Sequence, residues 1–198
     1  MAITNEMYSK LPNLVLGFHG CKEDTFKSVI YNHEQLKPST NTYDWLGNGI
    51  YFWDNSYERA MEWAAKRYGE SGRVVGAVID LGCCLNLTDY SSTSILQDGY
   101  KVLEEAFRLA DLPVPQNTCG RSKTDVLLRN LDCAVIQYVH KISGNRFDSV
   151  RGVFTEGAPI YPGAALVEKT HIQICVANPN CIKGYFSPLD SVDGFPIP

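Results

Sequence analysis

Two short motifs near the start of the chain carry side chains that could share a ligand site. His19 and Gly20 end an apolar run. Tyr51 follows the glycine pair Gly47 and Gly49. Glycine lets another backbone approach closely because it has no Cβ atom, and imidazole can donate or accept a hydrogen bond. Each motif alone also fits a tight turn, so it is their order and separation that favour one common site.

The segments around these motifs predict alternating strands and short helices. An apolar strand at 14–18 leads to His19, and residues 23–30 begin with acids and continue with apolar side chains at helical spacing. An aromatic strand follows Gly49. Polar residues at 54–56 are candidate N-caps for a helix that carries Trp63 and Arg67 on one face.

This succession of strand, His-Gly turn, short helix, Gly-Ile-Tyr-Phe strand and capped helix resembles the ADP-ribosyltransferases of the diphtheria-toxin and poly(ADP-ribose)-polymerase type. In that superfamily a His, a Tyr and usually a Glu from three separate strands hold NAD. The resemblance covers residues 12–187, and it is weaker in the middle third than at the two ends. It implies an NAD-dependent mono-ADP-ribosyltransferase that modifies a protein or nucleic-acid acceptor and releases nicotinamide.

The resemblance also implies a role for each motif residue. The Gly20 backbone would grip the nicotinamide carboxamide, His19 would bond a ribose hydroxyl, and Tyr51 would stack on the nicotinamide ring. Trp63 matches a second stacking aromatic of the polymerases, although it fits packing on a helix face equally well. Arg59 stands where the polymerases have a serine that bonds the carboxamide. NAD is therefore expected as co-substrate, and no metal is expected.

The third position of the family pattern is altered. The family places its catalytic Glu in a strand of the form Glu-x-x-Val, and the matching stretch here holds Gln173 and Val176. Glutamine keeps an acceptor oxygen and a donor amide but cannot act as a base. A neutral bond in place of a charge-assisted one should slow the reaction by about 10- to 30-fold. Glu156 is the candidate substitute base, with an exposed loop carboxylate as the alternative interpretation.

Composition and charge limit the remaining possibilities. The 198 residues, 44% of them apolar, suit one domain spanning 1–198. No apolar run reaches the roughly 18 to 20 residues of a membrane helix, and the first six residues have no signal-peptide pattern. The seven cysteines form neither a disulfide framework nor a zinc motif, which favours reduced thiols in the cytoplasm. A net charge of −4 argues against non-specific electrostatic binding to a nucleic-acid backbone.

The whole pattern predicts an α+β fold with an ADP-ribosyltransferase-like split β-sheet core, built as two small packed sheets with helices around them. Predicted strands lie at 14–18, 74–81, 147–154, 171–176 and 182–186. The helix predicted at 94–110 has an apolar stripe typical of core packing. A second helix is predicted from Ser122, with Asp125 completing a pattern like a capping box, to about residue 141.

Two other functions remain open from the sequence. An NAD-dependent RNA 2′-phosphotransferase on the same fold would need a basic phosphate pocket, which the acidic balance disfavours. A catalytically degenerate module that binds NAD or ADP-ribose without turnover is supported by Gln173. The retention of His19 and Tyr51 in their glycine context argues against it.

Overall fold

The computed structural model describes residues 14–122 and 125–196, and it has the mixed α+β character that the sequence predicts. The strands are β1 (Leu14–Lys22), β2 (Ile50–Asp54), β3 (Gly72–Asp80), β4 (Cys84–Asn86), β5 (Asn117–Thr118), β6 (Leu128–Arg129), β7 (Ser149–Pro159), β8 (Val167–Val176) and β9 (Ile182–Phe186). The helices are α1 (Glu23–Tyr31), α2 (Tyr57–Tyr68), α3 (Tyr90–Leu109) and α4 (Asn130–Ile142), with short 3-10 turns at Gly69–Ser71 and Pro179–Cys181. The N-terminal segment on which the expectation of no export signal rests lies outside the described residues.

The expectation of two separate packed sheets is wrong. Seven strands form one sheet in the order β4-β7-β8-β2-β1-β3-β9, and β5 and β6 form a separate hairpin-like pair. All neighbours in the large sheet are antiparallel except β4 and β7. The sheet is continuous because β1 and β2 do pair, but only through Gly17 with Asp54 and Phe18 with Trp53. This narrow junction divides the sheet into a four-strand half and a three-strand half.

Helices cover both faces of this sheet. On one face, Val29 of α1 packs in a core cluster with Phe52 and Ile174. On the opposite face, Ala60 of α2 packs against Trp53, whereas Ile136 of α4 belongs to a cluster around β7 and β8. Side chains of alternate strand residues point to opposite faces. The face that carries α2 and α4 is therefore the one that displays Tyr51, Trp53 and, by register, Gln173.

The second long helix starts later than predicted. Asp125 N–H does donate to Ser122 Oγ at 2.8 Å, but the chain then forms β6 and α4 begins only at Asn130. Residues 123 and 124 of the predicted helix lie outside the described residues. The side chain of Asn117 accepts hydrogen bonds from Leu131 N–H at 2.9 Å and Asp132 N–H at 3.3 Å. This capping residue is distant in sequence from the helix it starts, which is why a local pattern misplaced the boundary.

The apolar stripe of α3 is only partly core. Leu103 is 1% exposed, whereas Ile95 and Val102 of the same stripe are exposed at 37% and 48%. The helix packs mainly on α4, so one side of its stripe is covered and the other is not. Among the described residues, no helix is both long enough and apolar enough to cross a membrane.

Candidate functional site

The junction between β1 and β2 is the centre of the candidate site. Asn55 N–H donates to Leu16 C=O at 2.7 Å, which sets the side of β1 that faces β2. Because main-chain groups alternate along an antiparallel strand, those of Gly20 also point toward β2, where they would meet Tyr51 if the ladder continued. Pairing instead ends at Phe18. The main-chain N–H and C=O of Gly20 therefore face the gap between two diverging strands.

His19 replaces the missing ladder bond. Its Nδ1–H donates to the Tyr51 carbonyl at 2.7 Å, so this main-chain acceptor is satisfied by a side chain and not by Gly20. The bond assigns the proton to Nδ1 and leaves Nε2 as an acceptor. Burial lowers the pKa of His19 below its ordinary value of 6.5, although the bond to Tyr51 opposes the shift. The ring is therefore neutral at pH 7, and Nε2 can accept a hydrogen bond from a hydroxyl group.

Trp63 of α2 lies directly above Gly20. A Cβ atom built on Gly20 would stand 2.5 Å from the Ala60 carbonyl oxygen and 3.1 Å from Trp63 Cε3. The absence of a side chain thus lets α2 approach β1 and brings the indole over the open backbone. Trp63 remains 38% exposed, and its ring centroid lies 5.9 Å from that of Trp53. The ring therefore packs on Trp53 and also keeps free surface, and its role as a second stacking aromatic stays a prediction.

Substitution of Gly20 with alanine should displace α2. The new Cβ atom would overlap a helix carbonyl, which cannot rotate away as a flexible side chain can. We expect Gly20→Ala to lower the free energy of unfolding by about 1 to 3 kcal/mol, measured by chemical denaturation. Gly184→Ala is the matched control, because a Cβ atom there meets nothing within 4 Å. Equal stability of the two variants would show that α2 does not pack on Gly20 as described.

Tyr51 fixes the glycine loop that precedes its own strand. Its hydroxyl donates to the Gly47 carbonyl at 2.6 Å and accepts from Leu46 N–H at 2.8 Å. Burial raises the pKa of the phenol well above its ordinary value, so the hydroxyl stays protonated. The ring is held in one orientation on the face between α2 and α4. This arrangement gives the hydroxyl a structural role and leaves the ring as the part that could contact a ligand.

Removal of the Tyr51 hydroxyl alone should test its structural role while the ring stays in place. Tyr51→Phe leaves Leu46 N–H without a partner and leaves the Gly47 carbonyl with only the Cys175 thiol, at 3.6 Å. We expect it to reduce the free energy of unfolding by about 1 to 3 kcal/mol. The control is Tyr100→Phe, since that hydroxyl bonds only the exposed Glu104 and its loss should leave stability nearly unchanged. Thermal or chemical unfolding measures both. A Tyr51→Phe protein as stable as the parent would contradict the anchoring role.

Gln173 is held by His171, a residue that the sequence motifs did not assign to the site. His171 Nδ1–H donates to the Lys169 carbonyl at 3.2 Å, and Gln173 Nε2–H donates to His171 Nε2 at 3.1 Å. The His171 side chain is 1% exposed, and burial is the main cause that lowers its pKa. A neutral His171 thus takes up the amide nitrogen of Gln173. The amide oxygen remains the group that Gln173 can offer to a ligand.

Glu156 belongs to an ion-pair network and does not lie in an exposed loop. It is on β7, opposite Lys169 of β8, and its Oε1 accepts from Arg59 Nη2 at 2.9 Å. Arg59 also pairs with Glu62, which in turn pairs with Lys169. Glu156 Oε1 lies 3.7 Å from His171 Nε2. The network therefore connects α2 to the β7–β8 hairpin beside Gln173. Arg59 is its central cation, because it pairs with both Glu62 and Glu156.

Two buried donors in this region have no partner. Within the described residues, these are Trp53 Nε1 and Arg59 Nε. Trp53 pairs with Gln173 across β2 and β8, and Arg59 holds Glu156. Buried polar groups are nearly always satisfied, so both donors are available to a water molecule or a ligand. Neither Trp53 nor His171 was singled out from the sequence, although the His-x-Gln spacing places His171 and Gln173 on one strand face.

The site thus joins four of the predicted residues directly and brings the others close. His19 contacts Tyr51, Trp63 overlies Gly20, and His171 links Gln173 to Glu156. No protein family, curated protein or solved structure matches this chain. The resemblance to ADP-ribosyltransferases therefore depends on the sequence motifs alone. In the described part of the chain, no group of three or more His, Cys, Asp or Glu side chains could hold a metal ion.

Proposed function

We propose that this protein is an NAD-dependent mono-ADP-ribosyltransferase. The single observation that carries the proposal is the opening of the β1–β2 ladder at Gly20, where His19 satisfies the Tyr51 carbonyl and leaves the glycine backbone to a ligand. A glycine whose N–H and C=O face this opening matches a carboxamide, which has acceptor and donor groups. The nicotinamide of NAD carries such a carboxamide.

Each nearby group has a part in the reaction. Gly20 would hold the carboxamide while the Tyr51 and Trp63 rings flank the nicotinamide, and His19 Nε2 would accept from a ribose hydroxyl. Fixing both rings limits the motion that precedes bond cleavage. The bond from ribose C1′ to the nicotinamide nitrogen then breaks with its electron pair on nicotinamide, and an oxocarbenium-like ribose forms. The acceptor attacks C1′ as its proton is removed.

Gln173 and Glu156 would each take one of the two roles of the family's catalytic glutamate, which are stabilisation of the ribose charge and activation of the acceptor. The Gln173 amide oxygen can accept from a ribose hydroxyl and place partial negative charge near the oxocarbenium. Glu156 carries a full charge and can receive the proton of the acceptor, provided that Arg59 releases or shares its carboxylate. The predicted result is a slower enzyme than one with a glutamate at the Gln173 position.

A binding module without turnover is the second candidate. It is favoured by the engagement of both groups, since the Gln173 amide is bonded to His171 and Glu156 is paired with Arg59. The RNA 2′-phosphotransferase alternative has less support. Arg59 and Lys169, the two cations of the network beside Gln173, are each paired with a glutamate and leave no excess positive charge for a phosphate.

Release of nicotinamide from labelled NAD tests the proposal. We expect purified protein to release nicotinamide slowly alone and faster with cell extract, with labelled ADP-ribose transferred to an acceptor in the extract. NAD binding by calorimetry without any release would favour the binding module. A protein that does not bind NAD and does not release nicotinamide would contradict both candidates.

A further inference from the structure

An open cavity lies beside the Trp45 and Phe154 rings, which contact His171. It occupies about 850 Å³ between α3, α4 and the middle of β7. Its walls include Leu96, Val135, Trp45 and Phe154, which are apolar or aromatic. Small-molecule sites have volumes of roughly 300 to 1,000 Å³ and apolar walls with a few polar groups. The cavity therefore has the size and lining of a site for one small molecule.

Three charged residues line this cavity: Arg129, Asp132 and Lys101, of which Lys101 pairs with the exposed Asp98. Arg129 is the cation that the aromatic walls hold. Its guanidinium lies 4.5 Å from the Trp45 ring centroid and 4.8 Å from that of Phe154, so the two rings hold the cation in place. Its Nε–H donates to the Val126 carbonyl at 3.2 Å, and Nη1 stands 3.5 Å from Asp132. Nη2 remains to bind an anionic oxygen. An arginine fixed on aromatic rings binds the oxygens of anions such as carboxylates and sulfonates.

The cavity adjoins the proposed transfer site at β7. Gly152 lines it and pairs with Gln173 across β7 and β8, so only a glycine separates the two at that point. The Trp45 ring is stacked on His171 at a centroid distance of 6.3 Å, and the Phe154 ring lies 6.2 Å from His171. His171 itself contacts Gln173. A molecule in the cavity would thus lie one side chain away from the ribose.

We propose that this cavity binds a small aromatic anion, with its ring among the apolar walls and its charge on Arg129. A second part rests on the proposed function: the bound molecule is the ADP-ribose acceptor. A hydroxyl or amine of that molecule forms the new bond to ribose C1′. The bond to nicotinamide breaks with its electron pair on the leaving ring, and the acceptor proton passes to Glu156.

Fluorescence of anilinonaphthalene sulfonate, an aromatic anion, tests binding without NAD. We expect saturable binding of one molecule per chain, weakened at least tenfold by Leu96→Trp, which fills the cavity. Ile95→Trp is the matched control, because Ile95 is on the same helix, is 37% exposed and does not line the cavity. Circular dichroism verifies that each variant is folded. Equal binding by the Leu96→Trp variant and the parent would overturn the site.

The role of the charge is tested with an uncharged analogue, N-phenylnaphthylamine. Arg129→Gln should weaken binding of the sulfonate by about tenfold and leave binding of the neutral amine nearly unchanged, because only the first probe gains a charge-assisted bond. Equal effects on both probes, or no effect on either, would refute recognition of an anion. Both probe experiments are independent of NAD. If the protein binds the sulfonate but releases no nicotinamide, the proposed function fails and the site stands.

Discussion

His19→Ala should weaken NAD binding by about 10- to 100-fold, which corresponds to about 1 to 3 kcal/mol. Two effects act together. The variant loses the Nε2 acceptor for a ribose hydroxyl, and the Tyr51 carbonyl loses its donor. That carbonyl then becomes a partner for Gly20 N–H, the group that would otherwise bind the carboxamide. Calorimetric titration with NAD measures the change directly.

A conservative variant and the pH dependence provide the controls. His19→Gln retains a side-chain donor for the Tyr51 carbonyl and an acceptor oxygen, so it should bind NAD more tightly than His19→Ala. In the parent, NAD affinity should be constant from pH 7.5 to about 6.5 and fall at lower pH. The pKa of His19 lies below 6.5, and protonation of Nε2 below that pKa removes the acceptor. If His19→Ala binds NAD as the parent does, the site has been misassigned.

Gln173→Glu should raise NAD hydrolysis by about 10- to 30-fold, or about 1 to 2 kcal/mol of transition-state stabilisation. The substitution places a full charge near the oxocarbenium. It also removes the amide N–H that now donates to His171 Nε2. His171 must then be protonated to bond the new carboxylate, so its pKa should rise from its present lowered value. Nicotinamide release and the NMR titration of His171 report the two effects separately.

Glu156→Gln is the companion variant for acceptor activation. Transfer to the acceptor should fall while NAD binding stays nearly intact, because Glu156 is proposed to receive the acceptor proton. Glu156→Gln should disturb the structure little, because Glu62 still pairs with the Arg59 guanidinium. Parental levels of both transfer and hydrolysis would leave Glu156 as a structural ion-pair partner.

A rise in the His171 pKa without faster hydrolysis by Gln173→Glu would favour the binding module.

Local patterns predicted much of the secondary structure. The strands around His19, Tyr51 and Gln173 were found because β-branched and aromatic residues bounded by glycine are a signal within a few residues. The start of α4 was missed because its capping side chain, Asn117, is distant in sequence. The same distance hid the pairing of Arg59 with Glu156 and the enclosure of His171.

The sequence by itself determined which chemical groups are present and, through the two-residue period of a strand, which of them share a face. His171 and Gln173 are on one face for that reason. Only the tertiary structure decided where β1 and β2 separate. The separation depends on the packing of α2 against Gly20 and on the His19 bond to Tyr51, which are contacts between elements. The cavity beside Arg129 likewise exists only where α3, α4 and β7 meet, because its walls come from segments that no local pattern brings together.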